Sequence, residues 1–195
     1  MSVQRKVILV TDGDRIAKEA VETAARNIGA RCISDSWGNP TKLSGKAIVN
    51  RILKTPFDPV VIMVDDRGQR GEGAGESVIR YVANHPAIKV LGVLAVASNT
   101  EKTDSIDVEQ SITNHGVLVK APVDKNGYRC AREYGLRGDT VEILKDLDIP
   151  VVIGIGDIGK MHGADDVLRG APITTKALQQ VLNRSGYCGS DRTNG

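Results

Sequence analysis

The chain has 195 residues, 41% of them hydrophobic and 26% charged, with a formal net charge of +2. That length favours one domain whose core needs no disulfide or metal staple. Near-neutral charge and 3% aromatic content remove the basic footprint and the stacking platforms of a nucleic-acid binder, so no nucleic-acid partner is expected.

The first apolar run, Val7 to Val10, reads as a buried strand and ends at Thr11-Asp12-Gly13-Asp14. A helix is predicted behind it, with Ile16, Ala17, Ala20, Val21, Ala24, Ala25 and Ile28 on one face and Gly29 as the stop. Arg31 to Ser34 reads as a short second strand, followed by the turn cluster Asp35 to Pro40. Ser44 is a candidate N-cap for a helix to about Leu53.

The stretch from Pro59 to His85 organises the rest. Val60 to Val64 is a buried strand that breaks at Asp65 and Asp66. A glycine-rich turn follows, with Gly68, Gly71, Gly73 and Gly75 interleaved with Arg67, Arg70, Glu72 and Glu76, and then a helix through Val78, Ile79 and Val82. Strand, polar glycine loop and helix in that order form the unit whose loop holds ligands in parallel α/β sheets. The free N–H groups at the helix start suit an anion. Pro86 closes the helix, and Val90 to Val96 reads as a fourth buried strand.

The region around 105–137 is read as an irregular or hairpin insert, with short strands in 106–112 and 117–119. Asp139-Thr140-Val141-Glu142 has the spacing of a capping box for a helix through Leu147. Val151 to Ile155 is the last strong strand, ending in Gly156-Asp157-Ile158-Gly159-Lys160, with helices expected over 163–169 and 174–185. Alternating strands and helices predict a Rossmann-like three-layer α/β sandwich around a mostly parallel sheet of about five strands. The domain is expected to span 1–187, with a flexible tail at 188–195.

Cys32, Cys130 and Cys188 are widely spaced and odd in number, which indicates neither a disulfide framework nor a zinc site and fits a reducing cytoplasm. The N-terminal apolar run is too short for a signal peptide, and no stretch approaches a membrane span, so any membrane association is expected to be peripheral.

Three predicted strands end in acid: Asp12 and Asp14, Asp65 and Asp66, and Asp157. In a parallel sheet these ends share one edge, where carboxylates can converge on Mg²⁺ or Ca²⁺. Asp12, Asp65, Asp66 and Asp157 form the candidate metal set. Asp14, Arg67, Arg70, Gly71 and Gly73 complete the candidate ligand site, with the arginines available to an anion. The competing reading makes these acids helix caps and turn residues, and the arginines solvated.

The glycine loop is not a P-loop, since Gly75 is followed by Glu76-Ser77, and it does not follow the first strand as a dinucleotide fingerprint must. Acids at several strand ends resemble the Toprim fold of primases and topoisomerases, and Asp12-Gly13-Asp14 with Gly156-Asp157 resembles haloacid dehalogenase-type phosphatases. Neither motif is complete. No histidine stands beside an evident nucleophile.

VILVTDGD, CISDSWGNPTKLSG, DPVVIMVDDRGQRGEGAGE, YVANHPAIKVLGVLAVAS and VVIGIGDIGKMHGADDVLRGAPIT together resemble the soluble stage V sporulation protein AE family, encoded among the spoVA genes of spore-forming Firmicutes. The resemblance runs in order from about Val7 to Tyr187. It implies an accessory protein of the spore dipicolinic acid channel, more an interaction partner than an enzyme. It also implies a peripheral position at the inner spore membrane beside the membrane subunits of that channel, with a part in germination and in dipicolinate uptake. No catalytic residues come with it. Calcium dipicolinate is then a candidate ligand for the acidic strand ends, and a Mg²⁺-dependent phosphoryl-transfer enzyme or nuclease of Toprim-like geometry is the alternative.

Overall fold

The computed structural model describes residues 4–68, 73–99 and 104–188. Seven strands form one sheet: β1 (Arg5–Val10), β2 (Arg31–Cys32), β3 (Val60–Met63), β4 (Ile88–Val96), β5 (Gln110–Ile112), β6 (Leu118–Val119) and β7 (Val152–Ile155). Their order across the sheet is β2-β3-β1-β4-β7-β5-β6. Every pairing is parallel except β5 with β6. The four α-helices among the described residues are α1 (Arg15–Asn27), α2 (Gly45–Lys54), α3 (Ala74–Ala83) and α4 (Pro172–Arg184).

Side chains alternate across a strand, so one strand feeds two cores. On β1, Ile8 and Val10 face α1 and α4, while Val7 and Leu9 face α2 and α3. This alternation produces the three layers. β4 adds a correction to its own register: its pairing with β1 shifts between Val7 and Ile8, which face Val90 and Gly92. The extra residue inverts the alternation, so Leu91 lies in one core and Val93 in the other.

The helix ends follow local chemistry. The Asp14 carboxylate caps α1 by accepting from Ala17 N–H at 2.8 Å, and Ser44 Oγ caps α2 through Ala47 N–H at 3.3 Å. Gly29, with φ 73°, takes the left-handed turn after α1.

The sheet has seven strands rather than about five because the insert joins it. β5 extends the parallel sheet beside β7, and β6 folds back on β5 as a hairpin. An antiparallel bridge from Ile106 to Leu136 returns the rest of the insert to the α2/α3 face. The helix expected from the Asp139–Glu142 spacing is a short 3-10 segment, Glu142–Asp146. Thr140 has φ 64°, which breaks a helical start, and Glu142 accepts instead from the backbone N–H of Asp104. The helix expected over 163–169 is reduced to 3-10 turns at Met161–Gly163 and Val167–Arg169, flanked by left-handed Gly163 and Gly170. The expected tail at 188–195 lies outside the described residues apart from Cys188.

Candidate functional site

From β1 the chain runs to β2 and β3 on one side, then crosses to β4 and β7 on the other. The loops leaving β1 and β4 therefore diverge, and in open α/β sheets ligands bind in the crevice at such a switch point. A cleft of about 270 Å³ opens there, lined by Asp12 and Asp14 after β1, Asp65 after β3, Ala97 to Asn99 after β4, and Asp157 and Lys160 after β7. Thr11 ties the two diverging strands: its hydroxyl accepts from Val96 N–H at 2.9 Å. Gly13 lets the first loop pass close to the turn after β2, since a Cβ there would stand 2.5 Å from Gly38 O.

The acids divide into a triad and two neighbours. Asp12, Asp14 and Asp157 each offer a carboxylate oxygen within 4.8 Å of the others. The Lys160 ammonium lies among them, donating to Asp14 Oδ2 at 2.7 Å and Asp157 Oδ1 at 2.8 Å. Asp14 thus works at both ends, one oxygen on the α1 N-terminus and the other on Lys160. Asp12 is 8% exposed, and one of its oxygens accepts from Asp14 N–H at 3.2 Å. Burial pushes its carboxyl well above the usual range, and the nearby charge of Asp14 pushes the same way. Burial acts to lower Lys160, but its hydrogen bonds to Asp14 and Asp157 outweigh that and raise it.

Asp65 and Asp66 are adjacent in sequence and serve different places. Asp65 faces the cleft and accepts from Arg67 N–H at 2.8 Å. Burial raises its carboxyl to about 6 against the opposing hydrogen bond from Arg67 N–H, with the charge of Asp139 adding to the rise. Asp66 turns to the start of α3. It accepts from Gly75 N–H and, at 3.1 Å, from Glu76 N–H. It supplies the cap that Gly73, without a side chain, does not. Gly73 makes room for this, since a Cβ there would stand 2.2 Å from Asp66 Oδ1.

Asp12, Asp65 and Asp157 of the four-residue metal set therefore share one cleft, but the close group is Asp12 and Asp157 with Asp14; Asp65 lines the cleft outside that group, and Asp66 is a helix cap. Arg67 is exposed and lies outside the lining of the cleft. Arg70 and Gly71 lie outside the described residues.

Sequence reasoning missed Lys160, Asp139 and Lys125, all of which line the cleft. Lys160 had a signal, three residues after a strand-end aspartate. Asp139 was read as a cap, but its carboxylate accepts from Ser98 Oγ at 3.3 Å. Across Ala97 to Asn99 and Lys125 the cleft adjoins a wider one of about 450 Å³, with Tyr134 and Arg137 on its wall. The combined crevice is lined by the carboxylates of Asp12, Asp14, Asp65, Asp139 and Asp157 together with the cationic Lys125, Lys160 and Arg137, and Asp124 lies in its wider part. That arrangement can hold a cation and an anionic group together. No histidine lines either cleft.

No helix among the described residues is long and apolar enough to cross a membrane. Comparison with curated proteins and with solved structures gave no match. A family model described as stage V sporulation protein AE1 matches residues 6–185, nearly all of the seven-stranded fold and every residue of the cleft, and the chain belongs to that family.

Proposed function

We propose that this protein is a non-catalytic accessory component of the spore dipicolinic acid channel, acting in germination and in dipicolinate uptake, and that its switch-point cleft holds a small charged ligand. Membership of a sporulation family supports the first part. One observation supports the second: five aspartates, Asp12, Asp14, Asp65, Asp139 and Asp157, gather with Lys125 and Lys160 around one crevice. Calcium dipicolinate fits this chemistry. Carboxylates complete a Ca²⁺ shell, and Lys125 and Arg137 stand where a dianion would meet positive charge. The membrane subunits of the channel are the proposed protein partners, reached from a peripheral position at the inner spore membrane.

Calorimetric titration of the full chain with Ca²⁺, Mg²⁺, dipicolinate and the calcium chelate, each alone, tests this reading. Heat with dipicolinate or its chelate, lost in an Asp12→Asn/Asp65→Asn variant, is the expected result. Silence with both, or binding unchanged in the variant, overturns the ligand assignment.

A second reading is a Mg²⁺-dependent phosphoryl-transfer enzyme or nuclease, supported by the close Asp12–Asp14–Asp157 group. Its mark would be heat with Mg²⁺ alone, together with Mg²⁺-dependent hydrolysis of a phosphodiester.

A further inference from the structure

In a mostly parallel sheet the strand starts and the helix ends share the edge opposite the cleft. Arg5 and Lys6 open β1, Arg31 opens β2, Lys89 is the second residue of β4, and Arg26 and Lys54 stand in the last turns of α1 and α2. The helix macrodipole accounts for basic residues at Arg26 and Lys54, but it calls for none at the strand starts. Asp58 is the one acid in 4–6, 26–31, 51–59 and 84–89. Arg5 at 3.2 Å and Lys6 at 3.9 Å share it. Lys6 and Lys89 are register partners on β1 and β4, and both line a hollow of about 220 Å³ with Leu91, Ser185 and Tyr187. Among the described residues no carboxylate lines that hollow. Two ammonium groups so placed repel, and an anion between them relieves the repulsion. Apolar side chains stand on the same edge. Phe57, the chain's one phenylalanine, is 52% exposed, and Leu53 is 44% exposed. The Phe57 loop is held in place: its carbonyl accepts from the Arg5 guanidinium, and the Arg31 guanidinium lies 5.9 Å from the ring centroid.

We infer that this edge docks on an anionic phospholipid surface, with a headgroup phosphate in the hollow between Lys6 and Lys89 and with Phe57 and Leu53 entering the headgroup layer. The inference rests on the peripheral position proposed above and names the face that provides it. An aromatic ring and a leucine among cations suit the boundary of an anionic bilayer, where the ring leaves water and the cations meet phosphate. A soluble polyanion would satisfy the cations and leave Phe57 and Leu53 in water. The near-neutral net charge of the chain hides this edge, because the acids that balance it gather elsewhere, five of them around the cleft. β1 is six residues long, which separates the two edges by roughly 20 Å. Docking by the strand starts therefore leaves the cleft opening away from the lipid, where solutes reach it.

The test is sedimentation of the full chain with vesicles of phosphatidylcholine alone or mixed with phosphatidylglycerol. Binding is expected only with phosphatidylglycerol present, and it should weaken steeply with added salt. Lys6→Gln/Lys89→Gln should lower the partition coefficient roughly tenfold, and Phe57→Ser should lower it severalfold. Lys46→Gln/Lys176→Gln removes the same charge from the starts of α2 and α4, toward the cleft edge, and should leave partition near the wild-type value. In the wild-type protein, anionic vesicles should protect Lys89 but not Lys46 from acylation by acetic anhydride, read by mass spectrometry, which keeps the test decisive if a variant does not fold. No binding, equal binding to both vesicle types, equal losses from the two lysine pairs, or unchanged acylation of Lys89 overturns the inference. Release from vesicles by excess glycerol phosphate, with Phe57→Ser without effect, overturns the lipid and assigns the hollow to a soluble phosphate. Vesicle binding with no heat from dipicolinate would keep this inference and remove the proposed ligand, while the reverse would do the opposite.

Discussion

Replacing Asp165 with alanine should be the most damaging single change in the loop that carries Lys160. Asp165 is fully buried and lies seven residues before the first turn of α4. Its Oδ1 accepts from Ile173 N–H and Thr174 N–H, each at 2.9 Å. Its Oδ2 accepts from Thr174 Oγ1 at 2.6 Å and Gly159 N–H at 2.8 Å. The residue at the cap position of α4, Ala171, has no side chain able to bond, and Pro172 brings no N–H. Asp165 therefore caps α4 from a distance and pins the β7 loop to it.

Alanine leaves four donors without their acceptor. At the lower end of about 1 kcal/mol for each buried orphan, the loss is on the order of 4 kcal/mol. For a chain of this size that lowers Tm by roughly 8–16 °C. Urea unfolding followed by circular dichroism measures it. Asp166→Ala is the control, since Asp166 caps a 3-10 turn through Leu168 N–H at 2.8 Å, and its loss should cost at most about 1 kcal/mol. Equal effects from the two variants would refute the assignment of Asp165 as the buried clasp.

Asp65→Asn should stabilise the protein at neutral pH. Because burial lifts the folded-state carboxyl to about 6, the folded protein holds a proton over about pH 4–6 that the unfolded chain releases, so stability falls as pH rises through that window. Asparagine keeps an oxygen for Arg67 N–H without the charge, so the variant should match wild type near pH 4 and exceed it at pH 7 by on the order of 1–3 kcal/mol. A pH-independent difference in unfolding free energy would reject this account. Gly73→Ala should cost about 1–2 kcal/mol by pushing Asp66 off the α3 N-terminus. In an Asp66→Ala background the same change should cost much less, and a double-mutant cycle with no coupling would show that the two residues act separately.

Much of the architecture was legible because it depends on local pattern. Val7–Val10, Val60–Val64, Val90–Val96 and Val151–Ile155 are continuous apolar runs, and only strands covered on both faces bury every residue. Asp14 and Ser44 cap the helices that their positions announced. The family was legible in the order of the long glycine and acid loops.

Placement around the cleft depended on contacts distant in sequence. Asp65 and Asp66 look alike in the chain, but in the loop after β3 one is held by Arg67 N–H at the cleft and the other by the first N–H groups of α3. Lys160 and Asp14 lie 146 residues apart and bond at 2.7 Å because β1 and β7 flank β4 in a parallel sheet. Asp139 had a local reading as a cap. The left-handed turn at Thr140 and the hydroxyl of Ser98 turned it into a wall of the site. Residue types and strand ends are written locally, whereas which acids share a cation is set by strand order, and strand order is fixed only when the two cores pack on either face of the sheet.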